Sequence, residues 1–223
     1  MKDNNMLQND QFLNNCIKII PHNIGWLQKK LSEEEMSYLW KVVDNQKESV
    51  KHKLAGVLTE SNALIDEDNW FFNNTVLPMC SIYANEFVNL GRNLPINQKH
   101  PYYLESFWVN YQYENQFNPN HSHNGVYSFV IWLQIPTNHH EQNEISIAES
   151  SSVNGKVSTF QIMYLNTLGD IMEYVYEMNP EIEGTMLLFP SRMLHSVNPY
   201  YNCNASRISI SGNVLLDSGL VLV

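Results

Sequence analysis

From Gly91 onward the chain is written in short alternating or wholly apolar runs, and this sheet-like second half constrains the fold more than any other feature. Strands are expected near Glu105–Tyr113, Val126–Ile135, Glu144–Ala148, Val157–Leu165, Ile171–Met178, Thr185–Phe189, Leu194–Asn198 and Arg207–Val214. Pro136-Thr137-Asn138, Asn154-Gly155, Gly169-Asp170 and Gly184 are turn signals between them. Closely spaced strands with no helices between them predict a sandwich or jelly roll rather than alternating strand and helix.

Helical periodicity is confined to the first half. Ser32 followed three residues later by Glu35 is a capping box, and Met36, Leu39, Trp40 and Val43 recur behind it at helical spacing. A second helical pattern runs from about Asp68 to Leu90, where Pro78 should kink or split it. These helices are expected to cover an outer sheet face. With 223 residues the chain reads as a single domain, 1–223, in which 1–95 form a helical flank with first strands and 96–223 the jelly-roll core.

The formal charge of −10 argues against a broad nucleic-acid surface, which needs a basic stripe. Met1 to Leu13 lack the basic start and apolar run of a secretory signal, and no stretch approaches the roughly 18 apolar residues of a membrane span. A soluble, cytoplasmic protein is expected. Cys16, Cys80 and Cys203 are scattered and form no C-x-x-C pair, so neither a disulfide framework nor a zinc knuckle is encoded.

Of eight histidines, His22, His52 and His100 stand alone in polar contexts, and His139-His140 reads as a solvated loop. His121 and His123 differ, because residues two apart in an extended segment point the same way and both precede a very apolar strand. His195, near a later strand, can supply a third ligand, giving a facial triad with open positions. The alternative is three surface or core-satisfied side chains.

Arg207 and Ser209 share one face of the last strand, Ile208 and Ile210 the other. A buried guanidinium needs an anion, and its planar fork suits a carboxylate, with the Ser209 hydroxyl adding a donor. The competing possibility is an internal salt bridge to Glu173 or Glu183.

Taken in order, Trp108-Val-Asn-Tyr-Gln-Tyr-Glu-Asn-Gln-Phe-Asn-Pro-Asn-His121-Ser-His123, Tyr127-Ser-Phe-Val-Ile-Trp-Leu-Gln-Ile-Pro136, Gly184-Thr-Met-Leu-Leu-Phe-Pro190, His195-Ser-Val and Arg207-Ile-Ser-Ile-Ser211 resemble the 2-oxoglutarate- and iron(II)-dependent oxygenases. The likeness is to prolyl-hydroxylase-like members and small bacterial and phage relatives, and includes Lys53-Leu-Ala-Gly56. It implies a mainly β fold, a double-stranded β-helix (jelly roll) flanked by N-terminal α-helices. His121, His123 and His195 would hold Fe(II), with His123 standing where the family usually has Asp or Glu. Arg207 and Ser209 would hold the distal carboxylate of 2-oxoglutarate. Tyr111 resembles a tyrosine that reaches this co-substrate, or is simply an aromatic core residue. No catalytic side chain is expected apart from the metal ligands.

The resemblance implies a dioxygenase that consumes 2-oxoglutarate and dioxygen and hydroxylates a peptidyl proline or a small metabolite. Trp108, Trp132 and Phe129 are candidate walls, and Ala63–Asn69 and Asn138–Gln142 candidate substrate loops. Two rivals remain at this stage: a cupin-like three-histidine dioxygenase without 2-oxoglutarate, for which Arg207 would be dispensable, and a non-catalytic jelly-roll binding module.

Overall fold

A computed structural model describes residues 23–45, 49–50, 56–87, 90, 101–150 and 155–217. His22, His52, His100, Cys16 and Lys53–Ala55 lie outside them. The elements are β1 (Leu27–Lys30), α1 (Glu33–Asp44), β2 (Glu60–Ala63), α2 (Leu77–Glu86), β3 (Tyr102–Gln112), β4 (Asn118–His121), β5 (Tyr127–Gln134), the short helix α3 (His139–Gln142), β6 (Thr159–Leu165), β7 (Ile171–Glu177), β8 (Thr185–Pro190), β9 (His195–Val197) and β10 (Arg207–Leu216). Among the described residues the strands form two sheets, β1-β8-β5-β10-β3-β2 and β4-β9-β6-β7, paired antiparallel throughout. The architecture is the jelly roll the sequence implied.

Alternation along the larger sheet divides the interior in two. Val109, Phe107, Ile131, Leu188, Ile208 and Ile210 face the helices, where Leu39, Val43, Phe71, Val76 and Tyr83 complete one core. Val130, Trp132, Leu187 and Phe189 face the smaller sheet and meet Phe160 and Ile162. The capping box is present at the start of α1: Ser32 Oγ accepts from Glu35 N at 3.2 Å while a Glu35 carboxylate oxygen accepts from Ser32 N at 2.7 Å. Such a cap stabilises a helix by about 1 kcal/mol.

The second helical pattern is not split at Pro78: a π-turn at Phe72–Val76 runs without a break into α2, and the irregularity lies in the turn just before the proline. The strand expected at Glu144–Ala148 does not form. Asn138 instead caps α3, accepting from His140 N at 2.9 Å, and Ser146–Glu149 is a 3-10 turn that leaves Ile147 exposed and Ala148 buried. His139 is accordingly buried and not a solvated loop residue, its Nδ1 3.0 Å from Val157 O.

Gly212 marks a close approach in the helix-side core. A Cβ there would lie 2.4 Å from the Phe129 ring and 2.8 Å from Ser106 O, so Gly212→Ala should destabilise the protein by about 1–3 kcal/mol, as overpacking does. A urea midpoint that stays unchanged in that variant would refute the packing account.

Candidate metal and carboxylate site

The three sequence-predicted histidines come together because β4 and β9 pair with His121 directly opposite His195. His123 lies just past β4, its backbone N–H donating to Ser191 O at 2.8 Å, which turns its ring back toward the other two. One ligand atom from each ring lies within 4.8 Å of the others, and the Nε2 atoms of His123 and His195 are 3.2 Å apart. His121 Nδ1 is 2.7 Å from Pro119 O and His195 Nδ1 is 3.0 Å from Met193 O. A carbonyl only accepts, so both Nδ1 atoms carry the proton and both Nε2 atoms present lone pairs inward.

Electrostatics favour the neutral forms. Burial, with a smaller contribution from His121, pushes His123 down to about 4 and His195 down to about 3. Neutral imidazoles are what a metal ion takes. The same shifts bear on stability: an unfolded histidine accepts its proton near 6.5, the folded ones only far lower, so stability is present above about 6.5 and is lost as pH falls through the window toward 4 and 3. The metal-free protein should therefore lose about 2.5–3 kcal/mol between pH 7.5 and 5.5 from this pair. Urea titrations at the two pH values check this, and equal midpoints would contradict it.

Next to the histidines a cavity of ≈ 160 Å³ opens between the sheets. Arg207 and Ser209 line it, as do Trp108, Trp132, Phe160 and Phe189. Phe129 borders it too, although its ring packs toward Phe71 and Phe107. The loops Ala63–Asn69 and Asn138–Gln142 contribute no lining residue. Nor does any Asp or Glu among the described residues.

Arg207 is 2% exposed and lies beneath this cavity, 5.0 Å over the Tyr200 ring. Its two terminal nitrogens donate to neutral acceptors, Gln112 Oε1 at 3.1 Å and Ser158 Oγ at 2.7 Å, while Nε has no partner among the described residues. The salt bridge to Glu173 or Glu183 is not made: Glu173 meets Lys156, and Glu183 accepts from Ile135 N. Burial lowers the guanidinium to about 10, so it is still a cation at neutral pH.

Tyr111 corrects the sequence reading. Strand alternation puts it with Phe107 and Val109 against the helix-side core, and the side chains that β3 sends to the cavity are Trp108, Asn110 and Gln112. Gln112, opposite Arg207 in register, was not singled out from the sequence, though strand pairing alone would find it. Ser158, in a positive-φ turn, carries no such signal.

Residues 106–213 match the sequence model of the family described as "Putative 2OG-Fe(II) oxygenase". Among solved structures the fold is similar to an oxidoreductase of the 2OG-Fe(II) oxygenase family from Burkholderia pseudomallei, at 12% identity and TM-score 0.52, covering 86% of each chain. A Pseudomonas putida prolyl-4-hydroxylase aligns at 14% identity and TM-score 0.48, over 85% of this chain and 91% of that one. The viral collagen prolyl hydroxylase of Paramecium Bursaria Chlorella virus-1, solved with 2OG, aligns at 12% and 0.46, over 85% and 94%. No curated protein gives a significant sequence match. The matched stretch, just under half of the chain, holds His121, His123, His195 and Arg207 and is similar to the 2OG-Fe(II) oxygenases, enzymes that use iron(II) and 2-oxoglutarate. Among the described residues no helix is long and apolar enough to cross a membrane.

Proposed function

We propose that His121, His123 and His195 bind iron(II), that Arg207 with Ser209 holds the distal carboxylate of 2-oxoglutarate, and that the enzyme hydroxylates a side chain of a peptide, such as a prolyl residue, or a small metabolite. One observation carries the reading: three converging imidazoles share a cavity with a buried guanidinium that has no counter-ion among the described residues.

The residues fit both groups. Neutral nitrogen donors suit iron(II), and three of them leave coordination positions open. An arginine buried against neutral partners is costly until an anion arrives, and the free Nε–H supplies a charge-assisted donor for one. Iron(II) with 2-oxoglutarate supplies the oxidising chemistry when bound. The chain's own part is to fix the imidazole tautomers through Pro119 O and Met193 O, to orient the acid on Arg207, and to exclude water with Trp132, Phe160, Phe189 and Val197.

Cavity size bears on the substrate. Pockets that engulf a whole ligand usually run to about 300–1,000 Å³, so ≈ 160 Å³ admits the co-substrate and only the reacting portion of anything larger. A side chain entering from a peptide held outside meets that limit.

Three histidines in place of two and a carboxylate also match a cupin-like dioxygenase without 2-oxoglutarate; the counter-ion-free Arg207 speaks against it. Anaerobic addition of iron(II) and 2-oxoglutarate decides: the weak visible charge-transfer band of a chelated keto acid is expected, and iron binding without that band overturns the proposal.

A further inference from the structure

A strand at the end of a sheet leaves one row of peptide groups open, and proteins guard such rows with proline, bulges, charge or short length. β7 ends the smaller sheet, and among the described residues no strand pairs with its outer edge. It has seven residues, no proline and an unbroken register against β6, from Leu165 opposite Ile171 to Thr159 opposite Glu177. Its only guards are Glu173 and Glu177, and a Glu173 carboxylate oxygen already lies 2.9 Å from Lys156 Nζ. Every residue of the strand except Tyr176 is exposed.

Apolar side chains surround this open row. Ile171 and Val175 on one face of β7, Met172 and Tyr174 on the other, and Leu165 and Leu168 of the hairpin leading into it are all exposed. They leave roughly 600 Å² open, the upper end of what a monomer ordinarily shows, and two such patches together reach the roughly 1,200 Å² at which specific interfaces begin. Hydrogen bonds at both ends set the phase of the strand: Asp170 O accepts from Asn166 N and Met178 N donates to Ser158 O, each at 3.0 Å. By alternation Met172, Tyr174 and Tyr176 turn their peptide groups to β6, and Ile171, Glu173, Val175 and Glu177 turn theirs to the open edge.

We infer that β7 is a dimerisation edge, on which a second copy of this chain lays its own β7 antiparallel about a two-fold axis at Tyr174. The strand's own order names this occupant. With the axis at Tyr174 all seven residues pair: Tyr174 meets its symmetry mate, Glu173 meets Val175, Met172 meets Tyr176 and Ile171 meets Glu177. The residues that exchange hydrogen bonds are then the four whose peptide groups face outward, and no carboxylate stands opposite another. Moving the axis to Glu173 sets that side chain against its own mate, and moving it to Val175 sets Glu173 against Glu177, both of which like charges oppose. The two four-stranded sheets become one continuous sheet, and the assembly needs neither iron nor 2-oxoglutarate.

Sedimentation velocity on the full chain should show a dimer that dissociates in the micromolar range or tighter. Val175→Lys should tighten it at least about threefold and Val175→Glu loosen it by a similar factor, because by symmetry position 175 faces Glu173 of the other copy twice. Val175→Pro removes an N–H from the open edge without touching the β6 ladder and should leave a monomer; if that variant does not fold, the lysine and glutamate substitutions decide. Hydrogen exchange over Ile171–Glu177 should be slow well above the dissociation constant and fast well below it. A chain that stays monomeric, or a dimer indifferent to the sign of the charge placed at position 175, overturns the inference. So does slow exchange in the monomer, which would mean that this chain covers the edge itself.

Discussion

Arg207→Met should weaken 2-oxoglutarate binding at least about a hundredfold while leaving the stability of the metal-free protein within about 1 kcal/mol of the parent. The first effect follows from losing a buried, charge-assisted carboxylate contact, worth roughly 3 kcal/mol or more where the guanidinium has no other anion. The second is a near-cancellation. Methionine fills similar volume and removes a cation buried without a counter-ion, which favours folding. Gln112 Oε1 and Ser158 Oγ lose their arginine donors, which opposes it; Ser158 Oγ keeps Thr137 Oγ1 at 3.1 Å. Calorimetric titration of 2-oxoglutarate and a urea midpoint on one preparation separate the two terms. Unchanged 2-oxoglutarate affinity together with a loss of several kcal/mol would make Arg207 a structural cation and favour the cupin-like reading.

What the sequence made legible, and what it hid, follows strand position. The central strands β5, β8 and β10 are apolar on one or both faces and could be read within two or three residues. β1 and β2 were expected only as unplaced first strands within 1–95 and β4 not at all, and all three are sheet edges. Leu27-Gln28-Lys29-Lys30 and Asn118-Pro119-Asn120-His121 carry the charge and proline that edge strands tolerate, so no apolar period announces them. The histidine cluster was legible because spacing two in an extended segment is a local property. Tyr111 was misread for the converse reason. Its resemblance to a family tyrosine says nothing about pleat phase, and one residue of register exchanges the cavity face for the core face.

His195→Ala should abolish iron retention, weakening binding more than about a hundredfold, and with it all 2-oxoglutarate turnover. It is the most buried of the three rings, 5% exposed, and its Nε2 lone pair is fixed inward by Met193 O. Removing one of three donors takes away the facial geometry on which the remaining two depend. His123 invites a finer comparison, because it stands where the family usually has a carboxylate. If it ligates the metal, His123→Ala should weaken iron at least about tenfold in competition with a chromogenic chelator, and His123→Asp should recover much of that loss by supplying an oxygen donor and a compensating negative charge. Such recovery would also show that the backbone anchor from His123 N to Ser191 O, at 2.8 Å, rather than the imidazole itself, aims this position at the metal. Iron affinity unchanged in His123→Ala would instead make the ring a neighbour of a two-histidine site, with the third protein ligand absent.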